Sequence, residues 1–175
     1  IDVWGRVRNL TAAADAEWRA SEADRRATVL SLVSAVVSGY VTLLSLDDQL
    51  GTSQGTLESR RKALDLFEKR HKGGVISMVE LSQTRYLYEF AAAALPVLQQ
   101  QIAQQENALS LLLGSNPGPI ARGKRLTELS TAAVPEGLPS DIHTQRTDVN
   151  AAEQSLIADN SRVSAAHAIY FQSIS

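Results

Sequence analysis

The chain of 175 residues contains no cysteine. That absence excludes disulfides, thiolate metal sites and cysteine nucleophiles, without fixing a compartment. Aromatics are few, with two Trp, four Tyr and three Phe, a supply that suits narrow helix seams better than a thick core. Neither charge sign prevails: 17 Lys and Arg stand against 19 Asp and Glu, for a net charge of −2. There is thus no electrostatic case for nucleic acid or for an anionic membrane surface. Proline is scarce, and none precedes Pro96. The longest apolar stretch, Val29 to Leu46, is interrupted by Ser31, Ser34, Ser38 and Thr42, so no bilayer-crossing helix is expected. The opening Ile-Asp-Val-Trp-Gly-Arg has neither an initiator Met nor a signal-like order of basic then apolar residues, and it reads as the start of an excised piece.

What is present is a mirrored heptad pattern. Val36, Leu43, Leu50, Leu57 and Leu64 recur at intervals of seven, and so do Leu81, Tyr88, Leu95, Ile102 and Leu109. Read outward from the Lys72–Gly73 bond, Leu64 faces Leu81, Leu57 faces Tyr88, Leu50 faces Leu95, Leu43 faces Ile102 and Val36 faces Leu109. A strict seven-residue spacing keeps one seam of a helix turned toward its partner. Reflection about the one Gly-Gly of the chain makes that partner the same chain returning. The pattern predicts an all-α fold built on a long antiparallel coiled-coil hairpin.

The first helix is expected from Trp4–Arg8 to about Lys72, roughly 95 Å at the usual rise per residue, with Gly39, Gly51 and Gly55 as soft spots. After the turn, Ser77 reads as an N-cap and Glu80 completes a capping box. The second helix then runs to about Leu113, kinked at Pro96. Its second seam row is Ala91, Leu98 and Leu112, with Thr84 and Gln105 as polar interruptions. Three segments follow: a hairpin over 1–113 with its tip at 71–77, a connector over 114–140 with a short turn near Arg125–Leu129, and a third helix over 141–175. Ser140 or Asp141 is expected to cap the third helix, whose apolar side is read as Ala151, Ala152, Leu156, Ala158, Val163, Ala166 and Ile169. The third helix has the length to cover residues 7–31 of the first, which the second helix leaves bare. It would stack end to end with the shorter arm and bring both chain ends together.

Four stretches, with the chain's end, carry a resemblance to the TolC-like outer-membrane factors of tripartite efflux pumps, in the lipoprotein-type drug-efflux branch. Asp2-Val-Trp-Gly-Arg6 resembles a (D/E)-(L/I)-(W/F)-G-(R/K) segment. Arg70, Gly74 and Ser77 fit the tip pattern R-x-x-x-G-x-x-S. Leu111-Leu-Leu-Gly114 is similar to an "LLG" helix stop. Val134-Pro-Glu-Gly-Leu-Pro-Ser-Asp141, with Arg146, Asp148 and Ala152-Glu153, resembles a P-x-G-L-P-S-(D/E)…R-R-P-D…A-E block, and Ala165 to Ile174 resembles the entry to a second barrel hairpin. Thr147 and Gln172 stand where the pattern has Pro, and Gly73 replaces a bulky residue, which puts the rigidity of the tip in question. The resemblance implies homotrimers that share one outer-membrane β-barrel and a periplasmic helical tunnel. This chain would be the periplasmic tunnel-wall piece lying between the two barrel hairpins. It also implies a periplasmic adaptor that meets Arg70, Gly74 and Ser77, and through it an inner-membrane pump.

No residue cluster points to catalysis. His71, His143 and His167 fall in separate segments without metal-ligand spacing, and no phosphate-cradling or nucleophile motif occurs, so no catalytic residue, metal or cofactor is assigned. Carboxylates such as Asp65 and Glu68 lie at helical spacing from basic residues and read as a solvated face. At the tip, Gly74 is suited to a positive φ and Ser77 to capping, whether or not a partner docks there. Trp4, Tyr170 and Phe171 have two readings, a staple at the chain ends or membrane-proximal aromatics. A second row on the first helix, Val33, Val37, Tyr40 and Leu44, suggests lateral packing in a larger wall. The competing reading is a structural or adaptor coiled coil with no channel role.

Overall fold

The computed structural model describes residues 2–130 and 145–171. Among the described residues the main elements are the helices α1 (Arg6–Lys72), α2 (Met78–Leu112) and α3 (Thr147–His167), with 3-10 turns at Leu126–Glu128 and Ala168–Tyr170. No strand occurs among the described residues, so the fold is all-α. Helix α2 continues through Pro96, and the turn expected near Arg125 is present with Arg125 as its cap. The expected cap at Ser140 or Asp141 and the Val134–Asp141 block lie outside the described residues.

Each helix end follows from local chemistry. Gly5, with φ of 71°, precedes α1 and brings no capping side chain. Asp2 supplies the acceptors instead: its carboxylate receives the Val7 N–H at 3.2 Å and the Arg8 N–H at 3.0 Å. The bond from Arg8 is the main reason the Asp2 carboxyl lies below its ordinary range. At the other end of α1, Val75 N–H reaches Arg70 C=O and Gly74 N–H reaches His71 C=O, both at 2.9 Å, with Gly74 at φ 73°. That pair of bonds around a left-handed glycine is a Schellman motif. Helix α2 ends the same way, with Ser115 N–H on Ser110 C=O, Gly114 N–H on Leu111 C=O and Gly114 at φ 66°.

The chain forms two compact units, Ile1–Val33 with Ala132–Ser175, and Ser34–Thr131. In the first, α1 meets α3 through alanines. Ala13, Ala16, Ala20 and Ala23 of α1 are buried, as are Ala151, Ala158 and Ala165 of α3 and Ala168 just beyond it. Small side chains let two backbones approach closely, so the seam is made by alanine and not by larger aliphatics. This corrects the expected apolar side of the third helix. Ala151 and Ala158 are buried, but Ala152, Leu156, Val163, Ala166 and Ile169 are exposed. Arg162 of α3 pairs with Glu17 of α1 along the same unit.

In the second unit, α1 and α2 form the hairpin. All ten heptad residues, Val36, Leu43, Leu50, Leu57, Leu64, Leu81, Tyr88, Leu95, Ile102 and Leu109, are buried or half-buried. Leu43 and Leu109 are the most enclosed, at 0% and 1% exposure. Gly39 is no soft spot. A side chain there would meet Leu109 Cδ2 at 2.9 Å and Gln105 Nε2 at 3.0 Å, so its bareness lets α2 come close. Thr84, Ala91, Leu98 and Gln105 are half-buried as a second row, whereas Leu112 is exposed.

The segment after α2 is fixed to the hairpin by one arginine. Arg122 donates to both Asp47 oxygens at 2.8 and 3.2 Å and pairs with Glu106. Its donation to Asp47 is the main cause of a guanidinium pKa raised above its ordinary value. Glu106 also accepts the Ile120 N–H at 3.2 Å, and Tyr40 Oη accepts the Gly123 N–H at 2.8 Å. The row Val33, Val37, Tyr40 and Leu44 therefore divides. Leu44 is buried and Tyr40 half-buried, while Val33 and Val37 stay exposed. One expectation about this helix needs correction: a window of α1 reaches a mean hydropathy of 2.0, long and apolar enough to cross a bilayer by length and composition. Serine and threonine lower hydropathy too little to offset so many valines and leucines.

Candidate functional site: the turn between α1 and α2

The last turn of α1 is basic, with Lys69, Arg70, His71 and Lys72 in sequence. Cations there oppose the negative end of the helix dipole. Five residues, Gly73 to Ser77, then reverse the chain before α2. Ser77 Oγ accepts the Glu80 N–H at 3.2 Å, and the Glu80 carboxylate accepts the Ser77 N–H at 2.8 Å. This is the capping box read from the sequence, and the bond from the Ser77 backbone is the main cause holding the Glu80 carboxyl below its ordinary range.

A third tie carries no signature in the sequence. His71 Nδ1 lies 3.1 Å from Ile76 C=O, a distance suited to an Nδ1–H donor, and it bridges the end of α1 to the far side of the turn. With the Schellman bonds and the capping box, the turn is closed on both sides by its own groups. The Arg70 guanidinium sits 5.9 Å from the Phe67 ring centre, over its face, a cation–π distance. Below the turn, Arg85 of α2 donates to Glu68 of α1 at 3.0 Å.

Arg70, Gly74 and Ser77 thus fall in one turn, and their tasks differ. Gly74 supplies the left-handed backbone, with nothing within 4 Å of a side chain built there. Ser77 spends its hydroxyl inside the capping box. Arg70 lends its carbonyl to the Schellman motif and keeps its guanidinium outside. Gly73 has no positive φ, and a side chain there would make ordinary contacts of 3.5 Å and more, so the turn does not depend on its flexibility. The outermost apolar group is Val75, 74% exposed, with Met78 and Val79 exposed beside it.

At the chain ends, the Trp4 and Phe171 rings stack with centroids 4.8 Å apart and planes 21° apart. Tyr170 next to them is exposed. The three aromatics singled out from the sequence therefore gather in one place within their unit, and two of them are in contact.

The family model described as outer membrane efflux protein matches residues 1–115. The chain belongs to that family. It is 36% identical to a probable efflux pump outer membrane protein, TtgC, of Pseudomonas putida, over all of this chain and 36% of the relative. It is 34% identical to the cation efflux system protein CusC of Escherichia coli, over all of this chain and 38% of that protein. Among solved structures, the outer membrane protein VceC of Vibrio cholerae superposes with a TM-score of 0.83 at 27% identity, over 98% of this chain and 40% of that one. The chain therefore spans well under half the length of the relatives it matches. Membership in this family sets aside the reading of a free-standing coiled coil. As a helical segment of an outer-membrane efflux protein, the chain occupies the periplasmic part of such a channel.

Proposed function

We propose that this segment forms part of the wall of a trimeric efflux conduit and that the α1–α2 turn is its docking point for a periplasmic adaptor. The observation that carries this reading is the turn itself. The Schellman bonds, the capping box and the His71 tie close the turn from within, leaving Arg70 and Val75 to face a partner. A rigid tip loses little entropy on docking, so its contacts convert more fully into affinity. The exposed apolar residues along α1 and α2, Val37, Val41, Tyr86, Phe90 and Val97 among them, are the sides on which further wall helices pack. Through the adaptor the conduit serves an inner-membrane pump that exports small molecules, and Trp4, Tyr170 and Phe171 lie at the end nearer the membrane.

The test uses the full-length protein in cells that depend on it for drug export. A cysteine introduced as Val75→Cys or Arg70→Cys should crosslink to the adaptor, whereas Asp48→Cys, far along the helix from the turn, should not. Arg70→Glu should lower export severalfold at unchanged protein level. Equal crosslinking from all three cysteines, or normal export by Arg70→Glu, overturns the docking reading.

A further inference from the structure

A groove between the N-terminal part of α1 and α3 is not used by the conduit role. It has a volume of about 460 Å³ and is lined by Trp18, Glu22 and Arg26 of α1 and by Gln145, Asn150 and Gln154 at and along α3. That volume falls within the range of small-molecule sites. The Trp18 indole, 68% exposed, offers a broad apolar face that no other described aromatic ring covers. The side-chain amides of Gln145, Asn150 and Gln154 make no hydrogen bond to another described residue. Each amide presents two donors and an acceptor.

The charge balance is also particular. Glu22 receives two hydrogen bonds from Arg25, at 2.8 and 2.9 Å, while Arg26 approaches the same carboxylate only to 3.5 Å. One carboxylate thus serves two guanidinium groups, and Arg26, on the groove side, is the less engaged of them; Arg19, which also lines the groove, is paired with Asp15 at 2.9 Å. An Arg fork in this state is suited to a ligand carboxylate.

An indole face flanked by amides and a cation matches a pyranose ring. The axial C–H face of the sugar lies on the indole, amides read hydroxyl and N-acetyl groups, and the guanidinium takes an acid. We infer that this groove binds an N-acetylated amino sugar bearing a carboxylate, the chemistry of glycan strands with acidic peptide stems. The inference uses the periplasmic placement of the chain, where such glycans occur, and is independent of docking at the turn.

The test is calorimetric titration of the full-length protein in detergent with N-acetylmuramyl dipeptide, which has both the acetylated sugar and the acid. Chitotriose (acetylated but neutral) and maltotriose (neither) serve as comparisons. The expected order is muramyl dipeptide first, chitotriose about tenfold weaker, and maltotriose without heat. Trp18→Ala should abolish both responses, Trp18→Phe should retain part of them, and Arg26→Gln should erase the preference for the acid while keeping chitotriose binding. Melting temperatures of each variant separate lost binding from lost folding. No saturable heat from either acetylated sugar, or binding unchanged in Trp18→Ala and Arg26→Gln, overturns the inference. So does a variant that changes only trimer stability, which would make the groove a contact between copies. Because these variants leave the turn intact, adaptor crosslinking at Val75→Cys reports on the docking reading separately.

Discussion

The side-chain amide of Gln105 donates to the backbone carbonyl of Gly39 at 3.0 Å, across the seam between α2 and α1. A helical carbonyl already accepts a bond from its own helix, and this second bond is reachable only because Gly39 carries no side chain. Gly39→Ala should therefore be destabilising by about 1 kcal/mol, despite the better helix propensity of alanine. Gly51 and Gly55 have nothing within 4 Å of a side chain built on them. There the same substitution should stabilise by about 0.5–1 kcal/mol. Denaturant melts of the three variants check this, and equal effects at all three sites would refute the close approach.

Arg122 holds the segment after α2 by way of two helices. Its side chain is 31% exposed, and Glu106 is 17% exposed, so the pair is partly shielded from water. Arg122→Ala should cost about 1–2 kcal/mol. It should also speed tryptic cleavage at Lys124 and Arg125. Arg122→Lys should recover little, since an ammonium cannot reproduce the two parallel bonds to Asp47.

The two tip glycines should respond differently to alanine. Gly74→Ala forces a side chain into left-handed backbone and should cost about 1 kcal/mol, with asparagine milder. Gly73→Ala should be neutral or stabilising by up to about 1 kcal/mol. Thermal melting separates the two.

Arg146 precedes α3 in extended conformation, with φ −71° and ψ 121°, and Thr147 is the first helical residue. That is the geometry a proline at 147 would impose on its neighbour and itself. Thr147→Pro should raise stability by about 0.4–1 kcal/mol. A fall in melting temperature would show that the threonine is needed.

Glu22 is lowered from an ordinary 4.5 to about 2, chiefly by its hydrogen bonds from Arg25. Asp148 is lowered from 3.8 to about 2, chiefly by those from Arg146. A carboxyl depressed in the folded state contributes stability that is present above its unfolded pKa and is lost as pH falls through the folded one. Both lie in the unit holding α3, so stability there should be flat above about pH 5 and decline toward pH 2. A melting temperature that rises on acidification over that window would contradict these pairs.

The heptad rows, the Gly-Gly turn and the capping box could be read from the sequence because each is local or periodic. A seven-residue spacing fixes which side of a helix is apolar, and Ser77 with Glu80 settles a helix start within one turn of chain. Family membership was legible for the same reason, in short ordered motifs such as Arg70, Gly74 and Ser77. Only the tertiary structure decided how the helix faces are used. Alanines 151, 158 and 165 form the α3 seam while Leu156 and Val163 face outward, because close backbone approach favoured small side chains over greasy ones. Gly39 changed from weak point to contact once Leu109 and Gln105 lay against it. Arg122 reaches Asp47 across 75 residues of sequence, and no spacing rule connects positions so far apart. Periodicity names the face of a helix, but what covers that face depends on which other part of the chain arrives there.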